Sequence, residues 1–243
     1  MINSESTVRE IALQVPDSTR LFEKLKIDYC CGGNQPLAQA CAAVGVKVGD
    51  VMGMLAEVTR SNSAKNDIVF QNASLPDLIT HIVETHHVFT KTEIDRLQAL
   101  ADKVLNAHGG NHPELIHLSE LLRQLCSELK PHMFKEEQVL FPYIVGMAHA
   151  AEHNQAGPFA PFGTVNNPVR VMMREHDAAG QILREMRALT SDYKVPPDAC
   201  VSYQTLYGAL EYFEKDLHQH IHLENNILFP KALDLENALN RQS

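Results

Sequence analysis

Stepping by four and three through residues 198–236 picks out Leu206, Leu210, Phe213, Leu217, His220, Glu224 and Ile227. Residues at this spacing share one face of a helix, so the chain writes an apolar seam with two polar positions in it. The same stepping through 113–149 gives Leu118, Leu122, Leu125, Leu129, His132, Glu136 and Val139. Through 166–191 it gives Val169, Met172, His176, Ala179, Leu183 and Met186, and through 75–107 Ile79, Val83, His87, Thr90, Ile94, Leu97 and Ala101. A register through His86 would turn Glu93 and Arg96 inward, so His87 is placed on the seam. Four long helical segments, separated at 106–113, 150–165 and 194–198, predict an all-α antiparallel four-helix bundle. Strand signals are weak throughout.

The first 60 residues follow a shorter rhythm. Thr7 and Glu10 have the spacing of a capping box ahead of an apolar run that ends at Pro16. Asp17 and Ser18 are placed to cap a second helix. Asn34-Gln35-Pro36 marks a third helix start, with Pro36 near the first helical position. A fourth helix covers 48–59. The stretch RSNSAKNDIVFQNA (60–73) is polar and aperiodic and reads as a linker. The expected organisation is a small helical unit over 1–60, a linker over 61–73 and the bundle over 74–243.

Composition narrows the function. A net charge of −9 argues against a nucleic-acid groove. No apolar run is long enough to span a membrane, and the polar start MINSESTVRE argues against a secretory leader. Five cysteines without secretory spacing fit a reducing cytoplasm. Thirteen histidines require an explanation.

The explanation is a repeat. HMFKEEQVLFP (132–142) and HIHLENNILFP (220–230) share His, three residues, Glu, three residues, Leu-Phe-Pro, 88 positions apart. His87 and His176 are 89 apart. Each half of the bundle thus supplies one lone His and one His-x-x-x-Glu. Any one of these alone reads as a hydrogen-bonded core histidine or a surface pair. Two carboxylates and four imidazoles in one apolar core do not, because buried carboxylates are paired or bind metal. The donors are N and O with no thiolate, which suits iron better than a closed structural zinc site, and two-fold repetition suits two ions. With Glu136 and Glu224 both bridging, each ion takes two imidazoles and two carboxylate oxygens. An oxo or hydroxo bridge then leaves about one octahedral position open on each. Which histidines share an ion stays open.

Residues 75–236 resemble a hemerythrin-like domain, through ETHH, HMFKEEQVLFP, REHDAAG and HIHLENNILFP in that order. With DYCCGGNQPLAQAC (28–41), the chain resembles the bacterial iron–sulfur cluster repair di-iron proteins. The resemblance implies His87, His132, Glu136, His176, His220 and Glu224 as iron ligands, the six reached from the seams. It implies repair of clusters damaged by nitric oxide or oxidants, by supply of iron, with damaged or apo cluster proteins as partners. Nitric oxide reduction and oxygen binding are the alternatives, with nitric oxide or oxygen as small ligand. A homodimer is the expected assembly if the chain is not a monomer. His-x-x-x-Glu on the last helix departs from oxygen carriers, which weakens the last alternative. Cys30 and Cys31 are read as a redox or iron-transfer pair whose thiols a helix start would acidify. Cys41, Cys126 and Cys200 are read as packing residues. Glu128 and Glu175 are placed behind the ligands. His86, His218, His222 and the remaining histidines are assigned to the surface or to positions behind the ligands.

Overall fold

A computed structural model describes residues 2–61 and 69–242. Short helices α1 (Val8–Gln14), α2 (Ser18–Leu25), α3 (Leu37–Ala43) and α4 (Val48–Ser61) form the N-terminal unit. Thr7 caps α1 and closes the full capping box with Glu10. Asp17 precedes α2 without a side-chain capping bond, and Pro36 sits one position before α3. Phe22, Leu37, Leu55 and Ile11 fill the core of this unit. The backbone carbonyls of Gly33 and Gln35 accept from the amides of Arg9 and Val8 at the start of α1. Gly33 is needed there, because a Cβ would lie 2.7 Å from the Tyr29 carbonyl oxygen. Most of the expected linker, 62–68, lies outside the described residues; Val69–Asn72 forms one helical turn, α5.

Four long helices follow, each but the third interrupted once. The first runs through α6 (Leu75–His81), the π-helical π1 (Ile82–His87) and α7 (Val88–His108). The second runs through α8 (Glu114–Lys135), π2 (Glu136–Leu140) and α9 (Phe141–Glu152). The third is α10 (Asn166–Leu189). The fourth runs through α11 (Val201–Leu223), π3 (Glu224–Leu228) and α12 (Phe229–Gln242). α7 packs on α8 and α11, and α10 packs on α8. Among the described residues there is no strand, and no helix is long and apolar enough to cross a membrane.

The π segments correct the seams at two positions. Val139 is exposed, and Leu140 is buried in its place. Val83 is half-buried, whereas Ile82 is fully buried. A π turn inserts one residue into the helical register, so a step of three or four across it lands one position off the seam. The Leu-Phe-Pro repeat supports the insertion. The Phe141 amide reaches back to the Glu136 carbonyl and the Phe229 amide to the Glu224 carbonyl, five residues earlier. The following prolines have no amide to restore the α-helical bond.

Two apolar cores fill the bundle. One, toward the 109–113 turn, contains Leu97, Leu122, Leu183 and Phe213. The other, toward the chain's end, contains Ile82, Leu140, Met172 and Leu228. The polar seam positions lie between them.

Candidate metal centre

The structure brings the six seam residues together. His87, Glu136, His220 and Glu224 form one group of donor atoms, and His132, Glu136, His176 and Glu224 a second. All six are buried, both glutamates completely. The open pairing of histidines is answered by the packing: the first helix meets the fourth, so His87 faces His220, and the second meets the third, so His132 faces His176. In each pair the two Nε2 atoms stand 3.0 Å apart. Metal–imidazole bonds of about 2.1 Å at right angles would set that same spacing.

Both carboxylates reach both pairs. Glu224 places Oε1 3.0 Å from His220 Nε2 and Oε2 3.1 Å from His176 Nε2. Glu136 Oε2 lies 3.3 Å from His132 Nε2 and 3.5 Å from His87 Nε2. Both oxygens of Glu136, Oε2 of Glu224 and Nδ1 of His220 have no hydrogen-bond partner. Burying an ion costs several kcal/mol unless it is compensated, and here no Lys or Arg reaches the two glutamates among the salt bridges of the described residues. The orphaned oxygens and the N/O donor set fit a pair of cations of the iron type.

Outer contacts orient the rings. Glu137 accepts from His87 Nδ1 at 2.7 Å, Glu175 from His132 Nδ1 at 2.8 Å, and Asn225 Oδ1 from His176 Nδ1 at 2.8 Å. Such partners fix the tautomer that leaves Nε2 free to ligate. Lys91 holds Glu137 and Lys135 holds Glu175. Glu175 was expected in this role; Glu137 and Asn225 were missed, although each directly follows a seam glutamate. Glu128 accepts from Gln124 and lines the cavity beside His132, whose Nδ1 is held by Glu175.

The electrostatics follow the contacts. Burial opposes charge on His132, but Glu136, Glu224 and Glu175 together outweigh it and push the ring up to about 9. Burial opposes charge on His87 as well, and Glu224, Glu136 and Glu137 still raise it. His220 has no partner on Nδ1, and burial moves it down. Burial would raise Glu224, yet His220, His176 and His87 hold it well below the usual carboxylate range. The cluster therefore favours positive charge between its carboxylates. A cavity of about 20 Å3 lies against His132, His176 and His220, lined by Leu129, Ala179, Leu217 and Ile221.

Several expected positions change. Of the histidines assigned to the surface or to positions behind the ligands, His86 and His222 are buried: His86 stacks on His220 at 5.7 Å and contacts Asp216, and His222 contacts Asn226. The N-terminal unit docks directly on the bundle, and Ile221 enters its core. His218 meets Glu23, Arg9 donates to the Asn226 carbonyl, and the Cys31 thiol touches the His176 carbonyl at 3.7 Å. That Asn226 carbonyl is the one Pro230 cannot satisfy. The Cys30 thiol is not acidified by the helix start: its hydrogen bond with Cys31 and its burial push it well up. The lowered thiol is instead Cys200, which is exposed at the start of α11 beside the Tyr203 amide and His108. Cys41 and Cys126 are buried.

Comparison with known proteins agrees with this architecture. The profile of the hemerythrin HHE cation binding domain matches residues 78–232, and that of a domain of unknown function, DUF542, matches 4–59. A protein of Haemophilus influenzae named probable iron–sulfur cluster repair protein is 34% identical over 231 residues, 95% of this chain and 98% of its own. Proteins named iron–sulfur cluster repair protein YtfE are 35% identical in Dickeya chrysanthemi, over 94% of this chain and 97% of theirs, and in Escherichia coli O81, over 96% and 99%. Matched in both parts and along nearly its whole length, the chain belongs to the iron–sulfur cluster repair family of hemerythrin-domain proteins.

Proposed function

We propose that His87, His132, Glu136, His176, His220 and Glu224 hold two iron ions with both carboxylates bridging, and that the protein repairs damaged iron–sulfur clusters in the cytoplasm by giving up this iron. The observation that carries the reading is that each buried glutamate reaches both histidine pairs, so either ion shares its ligands with the other. Bound iron would supply a labile, redox-active metal store. The residues do the remaining work. Glu137, Glu175 and Asn225 keep Nδ1 protonated and Nε2 turned inward. The apolar cores on either side exclude bulk water. The small cavity beside His132 has room for about one water-sized ligand, which suits a bridging oxygen or a diatomic molecule. Cys30 and Cys31 would pass iron or electrons between the bundle and a recipient protein, a role supported by the contact of Cys31 Sγ with the backbone of the helix that carries His176.

The test loads the chain with isotopically labelled iron and incubates it with a cluster enzyme damaged by nitric oxide, in unlabelled iron. Recovery of enzyme activity with the label in the repaired cluster is the expected result. Recovery with unlabelled iron alone would sink the donation reading.

A further inference from the structure

The loop between α2 and α3 carries a second set of metal-type donors. Asp28, Cys30 and Cys31 place a carboxylate oxygen and two thiols within 4.8 Å of one another. The arrangement is built by the backbone. Asp28 Oδ1 accepts from the amides of Cys30 at 3.1 Å and Cys31 at 2.9 Å, the turn that short acidic side chains make with the residues after them. This turn brings two successive side chains to one side of the loop.

Two of the three donor spacings match those of a coordination polyhedron, and the third lies within 4.8 Å. The sulfurs are 3.7 Å apart, and Cys30 Sγ is 3.5 Å from Asp28 Oδ1. Around a tetrahedral ion, metal–sulfur bonds of about 2.3 Å and metal–oxygen bonds of about 2.0 Å place sulfurs about 3.8 Å apart and sulfur and oxygen about 3.5 Å apart. Three protein donors leave one position for an exchanging ligand, as in open rather than structural sites.

The position is also specific. Cys30 is 5% exposed and the Asp28 side chain 31%, so the group has one buried and one open side. On the buried side Cys31 rests on α10. A Cβ at Gly180 would come within 3.3 Å of Cys31 Sγ, so the glycine makes room for the thiol. Asn225 links the two sites in one side chain: its Oδ1 holds His176 and its Nδ2 donates to the Cys30 carbonyl.

We infer that Asp28, Cys30 and Cys31 form a separate binding site for one thiophilic divalent cation, a surface station for the metal held in the bundle. The inference rests on the iron-donation reading for its role and on the donor geometry for its existence. On binding, the cation replaces both thiol protons, which leave to solvent on the open side, and two metal–thiolate bonds and one metal–carboxylate bond form. No electron is transferred.

Cobalt(II) is the probe, added anaerobically with a phosphine reductant to the full chain already loaded with iron, so that the bundle's own site is filled. The expected result is a sulfur-to-cobalt charge-transfer band that saturates near one equivalent. The band should vanish in the Cys30→Ser, Cys31→Ser double variant. Asp28→Asn keeps the acceptor for the turn but loses the charge, and should weaken binding at least tenfold. The unchanged iron spectrum of the bundle certifies that each variant is folded. No thiolate band in the parent chain, or the same band in the double variant, overturns the site; an unweakened Asp28→Asn removes the carboxylate from it. The cobalt readout does not involve a recipient protein, so failure of the donation reading would leave it intact.

Discussion

The His87–His220 half of the centre and the His132–His176 half are alike inside and different outside. In both, the Nε2 atoms are 3.0 Å apart and the rings are inclined at 59° with centroids 4.7 Å apart. In both, the Phe of Leu-Phe-Pro stacks on the lone histidine of its half-repeat: Phe141 on His87 and Phe229 on His176. Behind the ligands the copies diverge. Glu137 serves His87, but its counterpart behind His176 is the neutral Asn225. Glu175 serves His132, but its counterpart beside His220 is His86, which turns to Asp216 and leaves His220 Nδ1 alone. The lesson is that the inner spacing repeats with the helix seams, whereas the outer positions answer to their surroundings. Asn225 has a second task that a glutamate could not perform, since only an amide can hold His176 and donate to the Cys30 carbonyl.

The strongest way to break the comparison is to remove a shared ligand. Glu136→Gln or Glu224→Gln should empty both halves, leaving well under half of the parent's iron, whereas His220→Ala should spare the other half and keep about half of it. Metal analysis of the purified variants decides. Glutamate variants that hold more iron than His220→Ala would refute sharing.

A smaller effect is expected behind the ligands. Glu137→Gln and Glu175→Gln should each lower metal affinity about tenfold to a hundredfold, and only in their own half. His86→Ala should cost less than either, since His86 makes no hydrogen bond to His220. Competition with a chelator gives two release phases in the single variants if the halves act separately. A His86→Ala loss equal to that of Glu175→Gln would restore the symmetry denied here.

The smallest effect concerns the face that only one half presents. Gly180→Ala adds a methyl 3.3 Å from Cys31 Sγ, so the loop must yield by a few tenths of an ångström. Helix propensity favours the alanine by about 1 kcal/mol, which offsets the crowding, and net stability should change by less than that. Iron content should stay the same while Cys31 alkylates faster. Thermal unfolding and mass-spectrometric thiol labelling check both statements, and iron loss in this variant would show that the loop supports the centre directly.

Much of this was legible without coordinates, and the reason is local. A helix repeats every 3.6 residues, so six polar residues set into apolar seams declare that they face one interior. The 88-residue repeat states that the interior is two-fold. The capping box at Thr7 and Glu10 is local in the same sense and forms as read. Val83 and Val139 were misplaced because a π turn changes the period in one turn without changing the composition. Cys200 was misread because exposure at a helix start depends on what packs over it.

What the sequence alone determined, then, is the set of buried histidines and glutamates that meet in the bundle, their division into two lone histidines and two His-x-x-x-Glu pairs, and the four helices that carry them. These follow from spacing along one chain segment. Tertiary structure alone decided that His87 shares its site with His220 and His132 with His176, that Glu137 and Asn225 stand behind the rings, and that the Cys30–Cys31 loop lies on α10. The contact of Cys31 with His176 on α10 joins residues 145 positions apart, and no periodicity reaches across that distance; such relations are fixed by which helix faces pack together.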